Sequence, residues 1–182
     1  FFSSFASHNV GCTITYECLG LSQYEFTMTC YRDCNGINMP NSTTLTFDNN
    51  GSCGGAVTNL TLNSVPSLSG VDVSQLCDPT SSTCQGGSSQ GTEQWVYTGV
   101  TVLPAGCIWT VGYSTCCRSA AITNITGGAT YVSTTVNTMI NPCNNSVEFS
   151  NLPIIYTCDS VLSFYNHGAF DPDGDTLNFS LV

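Results

Sequence analysis

Residues 12–32 read CTITYECLGLSQYEFTMTCYR, and their alternation decides how the rest of the chain is read. Period two puts Cys12, Ile14, Tyr16 and Cys18 on one face of a strand, with Thr13, Thr15 and Glu17 on the other. After the turn residues LGLSQ the pattern resumes, with Phe26, Met28, Cys30 and Arg32 together opposite Thr27, Thr29 and Tyr31. Two alternating runs around a short polar turn predict a β-hairpin. If the turn centres on Leu21, facing residues have numbers that add to 42, so Cys12 opposes Cys30 on the same face, as a cross-strand disulfide requires. The alternation also carries Arg32 onto the apolar side. An isolated buried guanidinium costs several kcal/mol, so it must hold a carboxylate or backbone carbonyls. Arg118, the only other cation of the chain, also sits beside a cysteine and is given the same structural role.

Outward from the hairpin, further alternating runs lie near 43–48, 56–62, 94–103, 107–114 and 130–138, separated by clusters such as FDNNGSCGG and CDPTSSTCQGGSSQG. No stretch of ten residues carries a 3.6-residue apolar stripe. The fold class is therefore all-β, a disulfide-rich Ig-like or Greek-key sandwich. At MINPCNNS the pattern changes, and three short strands follow in VEFSNLPIIYTC, VLSFYNHGAF and TLNFSLV. Residues 7–140 read as one domain and 141–182 as the opening strands of an incomplete second module, since some forty residues are too few for a sandwich. Residues 1–6, FFSSFA, read either as the remnant of a signal segment with a small-x-small site at Ser4-Phe5-Ala6, or as an N-terminal strand.

Composition narrows the function. Of 182 residues 41% are hydrophobic but only 8% charged, with no lysine, while Ser, Thr and Asn number 22, 24 and 16. A net charge of −10 leaves no cationic surface for nucleic acid or anionic membranes, and no run is long enough to span a bilayer. Twelve cysteines without paired CxxC knuckles, and only His8 and His167 beside them, favour disulfides in an oxidising compartment over zinc. Besides Cys12 with Cys30, the expected bridges are Cys77 with Cys84, closing a short loop, and Cys143 with Cys158. The alternative is that some of these thiols stay free or link chains.

Three motifs suggest chemistry. GSSQG at 87–91 matches the serine-hydrolase pattern with Ser89 as nucleophile, but it lies in a Ser/Gly-rich loop between strands rather than on a strand-to-helix elbow. The flexible-loop reading is preferred and no enzyme activity is expected. Asn-x-Ser/Thr sequons include Asn41, Asn59, Asn124, Asn144 and Asn178, and this Ser/Thr/Asn content generates several by chance. Asp171, Asp173 and Asp175, spaced by Pro172 and Gly174, are candidate calcium ligands, because a hard cation relieves crowded carboxylates. The rival reading is a solvated acidic turn.

The ordered motifs SHNVGCTITYECLG, YEFTMTCYRDCNG, CIWTVGYSTCCRSAAITN and NNSVEFSNLPIIYTC…FYNHGAFDPDGDTLNFSLV resemble the N-terminal region of large secreted surface proteins of gliding and filamentous Bacteroidota, exported by type IX secretion. The resemblance implies a secreted, cell-surface adhesin or structural protein. Its roles would be adhesion, gliding or appendage building, with neighbouring modules or copies of itself as partners, or a cell-surface or glycan target. Cys12 stands where that family has a glycine and Cys30 where it has an apolar strand residue. By the same resemblance, DSV and DTL mark Ser160 and Thr176 as O-glycosylation sites, and DPDGD is similar to the calcium-binding Asp-x-Asp segment of cadherin-like modules. The alternative function is a self-assembling filament subunit completed by strand addition from a neighbour.

Overall fold

The computed structural model describes residues 9–54, 59–76, 80–116, 128–154, 157 and 160–180. The hairpin forms as read: β1 (Asn9–Gly20) and β2 (Gln23–Asp33) pair antiparallel with Cys12 opposite Cys30, Ile14 opposite Met28 and Tyr16 opposite Phe26. Leu21 and Ser22 form its two-residue loop at φ 51° and 62°. Positive φ at both positions is what a hairpin needs to match strand twist, yet neither residue is Gly, Asn or Asp. Leu21 is also 98% exposed.

Six further strands complete the main sheet: β3 (Ser42–Asp48), β4 (Asn59–Ser64), β5 (Val71–Asp72), β6 (Thr92–Val102), β7 (Ile108–Cys116) and β8 (Ala129–Asn137). They follow one antiparallel ladder in the order β1-β2-β6-β4-β3-β7-β8, with β5 on β6. β6 meets β4 through two register pairs only, Asn63 with Thr98 and Ser64 with Tyr97. Because Phe26 of β2 packs on Phe47 of β3 within one shared core, the ladder folds over at this narrow junction. The crease sets β1, β2 and β6 against β4, β3, β7 and β8. Gly99 sits at the crease: a Cβ on it would meet Leu62 Cδ2 at 2.7 Å and the Thr61 carbonyl at 3.0 Å. The connections from β2 to β3, from β4 to β5 and from β6 to β7 cross between the layers. The result is the all-β, disulfide-rich sandwich expected from the alternation.

The core is the set of inward positions of both layers. Tyr24, Phe26, Met28 and Tyr97 face Leu45, Leu62, Trp109, Val111 and Val136, all buried. Phe26 meets Phe47 edge-on at 5.2 Å between ring centroids. Each such side chain contributes about 1.5–3 kcal/mol of burial. Core phenols keep a partner for the hydroxyl: Tyr24 donates to the Pro142 carbonyl at 2.7 Å, Tyr97 to Pro40 at 2.8 Å and Tyr16 across the seam to Thr135 of β8 at 3.1 Å. Burial pushes the Tyr97 phenol well up, with Tyr113 and Glu93 adding to it, so it stays a neutral donor.

Beyond β8 the chain first serves the sandwich. Ser146 N–H donates to the Tyr16 carbonyl at 2.9 Å, and Tyr16 N–H donates back to Ser146 Oγ at 2.8 Å. Cys18 N–H donates to Asn145 Oδ1 at 2.8 Å. Residues 142–146 thus cover part of the outer edge of β1, a common protection for an edge strand. Of the three strands expected after this joint, the described residues show two short ones, β9 (Glu148–Phe149) and β10 (Ala169–Phe170), paired with each other. TLNFSLV shows no strand within them.

Four disulfides join pairs of described cysteines. Cys12–Cys30 forms as expected, at a Cα separation of 4.0 Å. Two other expected pairings are corrected. Cys84 bonds Cys34, not Cys77. The Cys34 amide reaches the Gly91 carbonyl at 3.1 Å and Gln90 reaches Asp33 at 2.9 Å, which brings the loop carrying Cys84 against the end of β2. Cys143 bonds Cys18, not Cys158, because the 142–146 segment lies along β1. Cys53–Cys107 ties the loop after β3 to the loop before β7. Cys77, Cys158, Arg118, His8 and Asn124 lie outside the described residues. Disulfides of this number belong to a protein folding in an oxidising, extracellular-type environment, and no described helix is long and apolar enough to cross a membrane.

Candidate functional site

The arginine beside the hairpin cysteines is inside the protein. Arg32 Nε forms an ion pair with Glu93 on β6, and Nη1 donates to the Gly36 carbonyl at 2.7 Å. The side chains of Arg32 and Glu93 are only 7% and 13% exposed. Trp95 Nε1–H also donates to Glu93, so the carboxylate links β2 to β6 while Arg32 reaches the loop at Gly36. This is the paired, structural arginine the alternation required, its Nε and Nη1 both engaged within the fold.

The loop between β5 and β6 is organised by a residue that sequence reading passed over. Asp72 accepts from Ser74 N–H and Ser74 Oγ on one oxygen, and from Ser82 Oγ (2.6 Å) and Gln85 Nε2 (2.8 Å) on the other. Burial raises its carboxyl, but the hydrogen bonds from Ser74, Ser82 and Gln85 outweigh it and hold the group below the usual carboxylate range. The only signal was its place in a Ser/Thr/Gln-rich loop. Ser89 lies in the same loop, its hydroxyl donating to Thr80 Oγ1 at 3.0 Å, and the element that follows it is strand β6, where a nucleophile elbow would need a helix. No histidine is among its hydrogen-bonding partners in the described residues.

The acidic run is a turn that holds the chain to itself. Asp171 Oδ1 accepts from the Asp173 N–H at 2.8 Å and the Asp175 N–H at 3.3 Å, while Gly174, at φ 83°, donates to the Asp171 carbonyl at 3.1 Å. Asp173 points away to accept from both the backbone N–H (2.6 Å) and the side-chain amide (3.0 Å) of Asn145. Asp173 therefore fixes the residue that in turn holds Cys18. Among the described residues no three His, Cys, Asp or Glu side chains are gathered as a metal-ligand set. Ser160, Thr176, Asn41, Asn59 and Asn178 are exposed, whereas Asn144 is half-buried and hydrogen-bonded through its amide to the Asn145 carbonyl.

A concave site arises where the segment after residue 146 passes over the outer face of the hairpin. The outward positions Thr13, Thr15 and Thr29 form its floor, with Tyr31 and Gln94 beside them. Residues 147–153, Tyr165, His167 and residues 177–179 form the opposite wall. Three contacts set that wall: Asn151 donates to the Asn166 carbonyl (2.7 Å), Tyr165 Oη to Leu152 (2.9 Å) and Gln75 Nε2 to Pro153 (3.3 Å). His167 packs edge-on to Tyr165 at 4.7 Å and to Phe149 at 6.0 Å. Gly168, at φ 61°, lets β10 approach β9, for a Cβ there would meet Ser150 Oγ at 2.1 Å. The groove encloses about 710 Å³, within the range of small-ligand sites. Burial raises the Tyr31 phenol, with Tyr165 adding to it, so it is a neutral hydroxyl there. The threonines are visible in the sequence as the outward half of the hairpin alternation. Their opposite wall is not, since it lies more than a hundred residues away.

No family model, curated protein or solved structure matches this chain.

Proposed function

We propose that the chain is a non-enzymatic structural and adhesive module of a large secreted bacterial surface protein. The observation that carries the reading is the pattern of staples. Among the described residues one disulfide ties the two hairpin strands together, two join its ends to other parts of the chain, and one joins two loops. A sandwich cross-linked in this way, with few charges and many hydroxyls on its surface, suits exposure to proteases and to load outside the cell. The resemblance to Bacteroidota surface proteins supports the same location. Protease shaving and antibody labelling of intact cells producing the protein test it. Surface-accessible antigen with its cysteines oxidised is expected, and antigen confined to the cytoplasm with reduced thiols overturns the reading.

A second reading, a filament subunit completed by a neighbour's strand, draws on the seam between the two end strands. There Ile14 and Tyr16 of β1 face residues 133–135 of β8 across a groove of about 370 Å³ that the chain's own residues 144–147 partly cover, so a neighbour's strand would have to displace or extend that segment. Light scattering on the oxidised protein separates the two: a concentration-independent monomer supports the module, and growing oligomers support the filament.

A further inference from the structure

We infer that the groove over the hairpin is a binding site for a neutral oligosaccharide, which deepens the adhesive reading above and rests on it. The class follows from what lines the groove and what does not. Its described lining carries no Lys or Arg, and Arg32 is committed to Glu93. With a net charge of −10 as well, an anionic ligand finds no counter-charge and meets a repulsive field. A cation finds one carboxylate, Glu148, well short of a coordination shell.

A purely apolar ligand fails for the opposite reason. Hydroxyls of Thr13, Thr15 and Thr29 and amides of Gln94, Asn151 and Asn178 all border the space. Covering them without partners costs roughly 1–3 kcal/mol each. These groups are uncharged and can both donate and accept, which matches a ligand dense in hydroxyls.

The remaining lining is aromatic. Phe149, Tyr165, His167 and Phe179 stand along the wall opposite the threonines, and Phe149 and Phe179 are well exposed. An aromatic face carries partial negative charge and attracts the polarised C–H groups on the flat side of a pyranose. Aromatic rings on one wall and hydroxyl and amide groups on the other therefore answer the two kinds of surface that a sugar presents.

Tyr131 supplies an internal control. It is an exposed tyrosine on β8 of the other layer, its ring lying over Gly112, whose Cβ would meet it at 2.5 Å. It lies outside the groove lining.

The test uses the oxidised, full chain. Calorimetry is run against neutral hexasaccharides of glucose, mannose, galactose, xylose and N-acetylglucosamine, with hexagalacturonate as the anionic comparison. Binding to at least one neutral hexamer is expected, with hexagalacturonate weaker. For that hexamer Tyr165→Ala loses about tenfold or more in affinity, equivalent to ~1.4 kcal/mol. Tyr165→Phe, which keeps the ring, stays within about threefold, and Thr29→Val, which keeps the shape but loses the hydroxyl, weakens binding several-fold. Tyr131→Ala binds as the parent does. Circular dichroism and melting confirm that each variant is folded. Absence of binding by every neutral hexamer at millimolar concentration overturns the inference. So does preferential binding of hexagalacturonate, or binding lost in Tyr131→Ala but kept in Tyr165→Ala. Surface labelling is read separately, so a surface protein that binds no sugar refutes the groove while leaving the module standing.

Discussion

Replacing Glu93 by Gln tests whether the buried ion pair holds the hairpin to β6. The change is nearly isosteric and leaves an oxygen for the Trp95 N–H, so packing is conserved and the charge alone is removed. Arg32 then stays buried with neutral acceptors only, the amide oxygen at position 93 and the Gly36 carbonyl it already bonds in the parent, and no counter-charge. Stranding a buried charge costs about 3–5 kcal/mol. Both side chains are almost wholly enclosed, which argues against water taking the carboxylate's place, so a loss of about 3 kcal/mol is expected. For a domain of this size that is a fall of roughly 6–12 °C in Tm. Urea melts at fixed pH and oxidised cysteines measure it. The double variant Arg32→Met with Glu93→Gln removes the orphaned cation too, and is expected to be more stable than Glu93→Gln alone. A Glu93→Gln protein melting within 2 °C of the parent, or a double variant that is simply additive, refutes the reasoning.

Four other outcomes follow from the geometry. Gly99→Val forces a side chain into Leu62 and the Thr61 backbone at the crease, and should destabilise by about 2 kcal/mol or more in denaturant melts. Leu21→Asn with Ser22→Gly puts residues suited to positive φ in the hairpin loop, and should raise stability by about 1 kcal/mol without changing the fold. Asp72 has its carboxyl lowered in the folded state; its stabilisation is therefore complete above the ordinary value near ~4 and is lost as pH falls through the folded value. Asp72→Asn should be less stable than the parent at neutral pH and show a shallower loss of Tm below about pH 4. Asp173→Ala removes the acceptor of both Asn145 donors and should cost about 1 kcal/mol in calcium-free buffer. A Tm difference that appears only with millimolar calcium would instead favour the metal reading of the acidic run.

The hairpin was legible because a two-residue period and one turn determine a register, and the register determines which cysteines and which arginine share a face. Local information sufficed for Cys12–Cys30 and for the burial of Arg32. It did not suffice for Cys34–Cys84 or Cys18–Cys143, whose partners lie 50 and 125 residues apart and meet only because separate segments dock at a sheet end or edge. Pairing cysteines by closeness along the chain assumes that a loop closes on itself, and here the loops close on strands. β5 escaped notice because Val71–Asp72 is too short to show any period. Glu93 gave no sign of its role, since a lone acidic residue at a strand start looks the same whether it faces water or an arginine. The groove was half visible: its threonine floor is the polar side of the hairpin, but the aromatic wall reaches it by tertiary contact alone.

The Cys18–Cys143 bond has a consequence under tension. Force arriving along the chain at Cys18 and leaving beyond Cys143 crosses one covalent bond instead of the sheet between them. The 125-residue span is thereby hidden from the load, a reserve of up to about 440 Å of contour at ~3.5 Å per residue. The oxidised protein behaves as a short, inextensible link however many strands lie inside it. A reductant changes its mechanics by freeing that slack, a difference that single-molecule pulling with and without reductant reads as added length. Along a chain of such links, the redox state of the surroundings, rather than the strength of any sheet, would set how far the whole can stretch.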